Sequence, residues 1–194
     1  DLGEGLRFVV TFGAVRRVVL GMALGLFGGG ALFVLGQPFA EQVLGAGDSG
    51  YGALVTALGV GAAVGMGATT LWGRRVVRRE AVFAGALTLV GVCIVLVSFA
   101  ATVAGAAGWV LVAGAGTGVA YVMGFTHLHA SVTDDIRGRT FAALFSTARA
   151  ALLVSFGLAG LGAAALDGLL PGTLGSGVRA VLLLGGVTIV GSGV

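Results

Sequence analysis

Residues 81 to 133 contain no aspartate, glutamate, lysine or arginine. This stretch is more than twice the roughly 20 residues that a helix needs to cross a lipid bilayer. Only 10% of the residues are charged and 57% are hydrophobic, whereas a soluble domain is about one-quarter charged. A core of 194 residues cannot enclose so much apolar surface. We therefore expect lipid to be the solvent of this chain.

The uncharged stretches divide into six predicted transmembrane helices. The longest stretch is divided by a run of small residues at 104–108, which we interpret as a turn. The last stretch is too short to cross, as expected for a fragment cut from a longer polypeptide. The predicted helices are 18–40, 49–73, 81–104, 107–131, 140–166 and the truncated 180–194. The predicted fold is an all-α polytopic transmembrane helix bundle.

Arginine is distributed unevenly between the gaps, and lysine is absent. Nine of the 11 arginines lie in three places: Arg7, Arg16 and Arg17; Arg74, Arg75, Arg78 and Arg79; Arg137 and Arg139. A cationic bias that changes side at each crossing follows the positive-inside rule. It predicts a cytoplasmic N-terminus, with residues 73–80 and 134–139 inside and 41–49, 104–108 and 167–179 outside. The net charge of +3 suits an anionic leaflet better than nucleic acid.

Residues 1–17 are predicted to form a separate element. On a helical wheel Leu2, Leu6 and Val9 share one arc, and Glu4 and Arg7 lie opposite. This pattern is typical of an amphipathic helix in the membrane interface. A cytosolic linker is the alternative.

Several of the 38 glycines are spaced by four residues. They are Gly21, Gly25 and Gly29; Gly61 and Gly65; Gly114 and Gly118. This spacing gives a helix a flat face that lets a second helix approach closely. Static packing is favoured for any single pair, and sliding of helices during a conformational cycle is the alternative.

Arg149 is the only charge within an otherwise apolar predicted helix. It lies about ten residues from the predicted cytoplasmic boundary, roughly 15 Å by helical rise. A charge at the bilayer centre costs about 2.5–3.5 kcal/mol on insertion scales. We expect Arg149, with Ser146 on the same face, to meet a water-filled cavity and bind an anionic group. A snorkelled or interhelical structural arginine is the alternative.

Gln37 is a second candidate cavity residue. It precedes Pro38, which removes a backbone donor and can free carbonyl groups near the outer end of the first helix. The glutamine could bind a ligand or simply a neighbouring helix.

Two charged loops are candidate cytoplasmic gates. The first contains Arg74, Arg75, Arg78 and Arg79, and the second contains Asp134, Asp135, Arg137 and Arg139. In a gate, these arginines would pair with acids or helix C-termini in one conformer. The alternative is that they only fix the topology.

Motifs for catalysis, metal binding or cofactor binding are absent from the sequence. There is no G-x-S-x-G, Walker loop or H-E-x-x-H. His127 and His129 point in different directions on a helix and make a poor metal site. Cys93, the only cysteine, is predicted to be a packed thiol. We expect no enzyme activity, metal or cofactor.

Three segments resemble a known family. They are residues 1–8, residues 43–61 with their repeated glycines, and residues 134–142, Asp-Asp-Ile-Arg-Gly-Arg-Thr-Phe-Ala. Together with six predicted helices and a short basic loop, they resemble the C-terminal half of major facilitator superfamily permeases of the bacterial drug- and siderophore-exporter type. The resemblance implies alternating access between two six-helix halves, with the first, second, fourth and fifth helices at the cavity or the inter-half interface.

The function expected from this resemblance is secondary transport, by proton-coupled efflux of small amphipathic molecules. The implied partners are the bilayer, a missing N-terminal six-helix half and a small-molecule substrate, but no nucleic acid. The implied location is the bacterial inner membrane. The alternative is a membrane anchor or scaffold fused to a cytoplasmic enzyme.

Overall fold

The structure, a computed structural model, describes residues 13–73, 78–132, 134–169 and 177–193. The side chains of 13–17, 134–137, 139, 168 and 169 lie outside the description. The described chain forms six α-helices and no strand. The helices are α1 (Gly13–Pro38), α2 (Gly47–Trp72), α3 (Arg79–Ser98), α4 (Val103–Ser131), α5 (Asp134–Leu169) and α6 (Gly177–Gly193). Helices α1–α5 are long and apolar enough to cross a membrane, and α6 is shorter. The predicted all-α bundle of membrane-spanning helices is confirmed at this level.

The predicted turn at residues 104–108 is wrong. These residues lie inside α4, and the chain instead turns between Phe99 and Thr102. Thr102 caps α4, because its hydroxyl oxygen accepts a hydrogen bond from the Gly105 N–H at 3.2 Å. A threonine before an apolar stretch is a helix-start signal. The small residues at 104–108 are compatible with a helix, and Ala106 among them is fully buried.

The charged segment Asp134–Arg139, predicted as a loop, is helical as well. It forms the first turns of α5, which therefore begins six residues before the predicted Thr140. Two acids at a helix N-terminus interact favourably with the helix dipole, and this signal supports the earlier start. At the N-terminal segment, α1 already includes Gly13. The predicted interfacial helix over residues 1–17 otherwise lies outside the described residues.

Pro38 changes the hydrogen bonding at the end of α1. The helix continues as one π-helical turn, Phe39–Val43, in which Leu44 N–H donates to Phe39 O at 3.1 Å. A proline lacks the N–H of the regular ladder, and wider turns occur where the ladder is interrupted. Gly45, with φ of 63°, then ends the turn in the left-handed region that glycine tolerates.

The helices pack in a pattern with an internal repeat. The closest pairs are α2 with α4, α3 with α4, α3 with α6, α1 with α6 and α1 with α5. Exchanging the first three helices for the last three leaves this set of pairs unchanged. A unit of three crossings enters and leaves on opposite sides, so its successor has the inverted orientation in a membrane. The described bundle thus has the packing expected of two inverted three-helix units.

Helices α2 and α4 are in backbone contact through glycine. A methyl group on Gly61 or Gly65 of α2 would collide with the carbonyls of Leu111 or Ala115 of α4. In return, methyl groups on Gly114 and Gly118 of α4 would collide with the carbonyls of Leu58 and Ala62 of α2. The predicted close approach is confirmed for these four glycines. In the first set, Gly21 and Gly25 face side chains of α3, and Gly29 faces open space.

Two helices leave most of their apolar surface uncovered. The most apolar window is 22% buried in α2 and 17% buried in α5, against 39–44% in α1, α3 and α4. One core cluster, in which Cys93 is buried as predicted, lies between α1, α3, α4 and α6. The exposed helices α2 and α5 are therefore those that depend most on lipid or on a further protein surface.

Candidate functional site

Arg149 lies on the uncovered face of α5. Its side chain is exposed, and no hydrogen bond or ion pair joins it to another described residue. Ser146 is exposed on the same helix, three residues earlier, and Leu153 is 71% exposed one turn later. An arginine that faces hydrocarbon without an anion is costly. This face therefore needs water, lipid headgroups or a protein partner around the guanidinium.

The height of Arg149 follows from the pairing of α1 with α5. Ser155 Oγ donates to Phe27 O at 2.5 Å, so these two residues lie at one level. Core packing of residues 31 and 35 with 159 and 163 indicates that the two helices run parallel. Arg149, six residues before Ser155, is then level with about residue 21 of α1.

The height of Arg149 can also be given relative to the start of α3. Gly21 faces the ring of Phe83, which lies four residues after Arg79 at the start of α3. One helical turn, about 6 Å, therefore separates Arg149 from that start. The helix α5 itself begins earlier than predicted, at Asp134. Both interpretations of Arg149, cavity-lining and snorkelled, are compatible with this height.

Gln37 does not share a site with Arg149. Its side chain is exposed and its Nε2 donates to Glu41 Oε1 at 3.1 Å, across the start of the π-helical turn. Gln37 follows Phe27 by ten residues, whereas Arg149 precedes the level of Phe27 by six. The two side chains are thus separated by sixteen residues of helical rise, roughly 24 Å. A single small ligand would not bridge them.

The candidate gates are described only in part. Arg78 is exposed and Arg79 is half-buried, and neither side chain has a polar partner among the described residues. Arg74 and Arg75 lie outside the described residues, as do the side chains of Asp134, Asp135, Arg137 and Arg139. We name the end of the bundle that holds Gly73, Arg78, Arg79 and Ser131 the arginine-rich end. Pairing within a latch stays a prediction.

Aromatic side chains fill the space between α4 and α5 near this end. The ring of Phe125 lies 4.5 Å from Tyr121, 5.8 Å from Phe141 and 6.1 Å from Phe145 between centroids. Tyr121 is 52% exposed and Phe145 is 49% exposed, so one edge of the cluster is open. The sequence analysis did not find this cluster. The signal was its spacing of four residues within each helix.

The two histidines occupy different environments. His129 is exposed, its ring centroid lies 4.5 Å from that of Phe141 in a tilted arrangement, and its Nδ1 lies 2.9 Å from Phe125 O. His127 Nε2 is buried without a hydrogen-bond partner among the described residues. Within the part of the chain that the structure describes, no group of three histidines, cysteines or carboxylates lies together. The H-x-H pair therefore gains no third ligand there.

At the opposite end of the bundle, Arg179 joins two parts of the chain by a hydrogen bond. Its Nη2 donates to Ala100 O at 3.0 Å, which ties the start of α6 to the turn between α3 and α4. Asp167, at the end of α5, accepts from the Gly177 N–H. The one arginine on the predicted outer side thus has a structural contact that keeps two connections together.

Comparison with protein-family models, curated proteins and solved structures finds no match to this chain. The structure therefore shows the helical class of the chain and not its family. The chain is a bundle of apolar helices, five of which can cross a membrane by length and composition.

Proposed function

We propose that this chain is a six-helix half of a secondary active transporter, similar to the C-terminal half of major facilitator superfamily permeases. The observation that carries the proposal is the packing of two three-helix units in the same pattern. Many secondary transporters are built from inverted repeats of this kind and bind substrate near the interface between repeats. In this proposal the chain works with a second six-helix half of the same polypeptide.

The uncovered helices supply the second argument. Helices α2 and α5 bury the smallest share of their apolar windows. Arg149 lies on α5 without a partner among the described residues. Lipid tails would cover the apolar side chains but not the guanidinium. A second half that encloses an aqueous cavity would cover both.

The proposed activity is proton-coupled efflux of a small amphipathic molecule by alternating access. In the bacterial inner membrane, the arginine-rich end would be cytoplasmic under the positive-inside rule. Arg149 would then bind an anionic group of the substrate near the cytoplasmic mouth of the cavity. The open edge of the aromatic cluster, Tyr121 and Phe145, offers apolar contact on the same side of the bundle.

Transport by the full-length polypeptide in proteoliposomes tests this function. With an imposed pH gradient, we expect movement of a fluorescent amphipathic anion that collapses when the gradient is dissipated. Arg149→Ala should lower kcat/KM at least tenfold, and Arg149→Lys should retain part of it, because the positive charge remains. Leu153→Ala, one turn away on the same exposed face, is the matched control.

Two results would contradict the proposal at different levels. Unchanged transport by Arg149→Ala at normal expression would remove this residue from the site. A full-length protein that moves no amphipathic substrate under any gradient, and that includes a soluble catalytic domain, would favour the membrane-anchor alternative.

A further inference from the structure

A cavity of about 880 Å³ opens at the arginine-rich end, between the start of α1, the start of α3 and the end of α6. This volume is within the range of pockets that bind small molecules. Arg78, Arg79 and Glu80 form one part of its wall, and Leu20 and Leu24 form another. The cavity is thus charged on one side and apolar on the other.

The charged side has more positive than negative charge. The side chains of Arg78 and Arg79 make no hydrogen bond or ion pair with a described residue. Glu80 makes an interaction of its own and adds one negative charge to the wall. Among the described residues these two guanidinium groups have no anionic partner, and arginine binds phosphate through paired N–H donors.

The first turn of α3 adds further donors. Its N-cap residue is Arg78, which makes no side-chain cap hydrogen bond. The N–H groups at a helix start have no partners within the helix. Together with the positive end of the helix dipole they favour a phosphate or another anion. These donors and the two guanidinium groups lie at the same mouth of the cavity.

The apolar side distinguishes an amphiphile from a soluble anion. Leu20 is 48% exposed and Leu24 is 41% exposed, one turn apart on α1. Further apolar wall is supplied by Ala81 and Phe83 of α3. A soluble anion would use only the arginines, whereas a lipid would place its phosphate at the arginines and its chains along the leucines.

We propose that this cavity binds the headgroup of an anionic phospholipid. Its phosphate is held by Arg78 and Arg79, and its acyl chains run along Leu20 and Leu24 into the bilayer. Basic pockets between transmembrane helices at the cytoplasmic side are suited to such headgroups. Arg149 does not line this cavity, and the proposal does not depend on the transport activity proposed above.

Binding of short-chain lipids to the purified full-length protein in neutral detergent tests the proposal. We expect saturable binding of dioctanoyl phosphatidylglycerol and none of dioctanoyl phosphatidylcholine over the same range. The double variant Arg78→Ala/Arg79→Ala should weaken the phosphatidylglycerol Kd at least tenfold. Arg149→Ala, which removes an exposed arginine whose side chain also has no partner among the described residues, should leave it unchanged.

A second variant tests whether binding depends on the space in the cavity as well as on its charge. Ala81→Trp fills part of the wall without changing any charge, and it should also weaken phosphatidylglycerol binding. Inorganic phosphate at the same concentration should not compete. Competition by phosphate would assign the site to a soluble anion. Equal losses in Arg149→Ala and the double variant, or equal binding of phosphatidylcholine, would overturn the site altogether.

Discussion

The two helix pairs that correspond under the internal repeat are held together differently. In α2–α4, four glycines bring the backbones into direct contact. In α1–α5, a side chain mediates the contact, with Ser155 Oγ donating to Phe27 O. The α2–α4 pair is therefore held by backbone contact at glycines, whereas the α1–α5 pair is joined by a polar side chain.

This difference predicts which of the two helix interfaces tolerates substitution. A backbone-to-backbone interface has no adjustable side chains, so any added volume or displacement is costly. At the α1–α5 interface Gly30 meets the side chain of Ser155 and not a backbone carbonyl, and α5 also bears the exposed Arg149. We infer that α2–α4 is the static pair and that α1–α5 is the pair that tolerates substitution.

The largest effect is expected from Gly65→Ala in α2. The new methyl group would collide with the carbonyl of Ala115, and overpacking of this kind costs about 1–3 kcal/mol. Gly67→Ala on the same helix is the matched control, because open space surrounds that position. It should leave the unfolding free energy unchanged or raise it by up to about 1 kcal/mol. Denaturant unfolding in detergent measures both, and equal values would contradict a tight α2–α4 interface.

A smaller effect is expected from Ser155→Ala in α5. The variant removes the hydrogen bond to Phe27 O and leaves a residue that suits a helix. We therefore expect the unfolding free energy to fall by about 0.5–1.5 kcal/mol. Ser146→Ala, an exposed serine nine residues earlier, should change the unfolding free energy by less than about 0.5 kcal/mol. A loss at Ser155 as large as that at Gly65 would remove the contrast between the two pairs.

The smallest effect is expected for chemical labelling of Cys93, which reports on the folded core and not on a helix interface. This thiol is 1% exposed in the core and should react with a maleimide only after denaturation. New cysteines can then be labelled without removing it.

Arg78→Cys should be labelled in intact cells only by a membrane-permeant reagent, and Ser49→Cys also by an impermeant one. The reverse result would invert the predicted topology.

The sequence predicted the helical class, the burial of Cys93 and the close approach of two glycine pairs. These features depend on composition and on spacing within single helices. Two boundaries were wrong for local reasons, since the Thr102 cap and the acidic start of α5 were overlooked. The aromatic cluster and the separation of Gln37 from Arg149 depend on which helices are neighbours. No single segment contains that information.

By itself, the sequence determined which segments are apolar and long enough to cross a membrane and where the charges between them lie, because hydrocarbon excludes charge from each segment independently. Only the tertiary structure decided the height of Arg149 and the cavity beside Arg78 and Arg79. These follow from the register between helices distant in the chain, such as the level of Ser155 with Phe27. Register is set by packing against a partner surface, and that surface exists only when the bundle has formed.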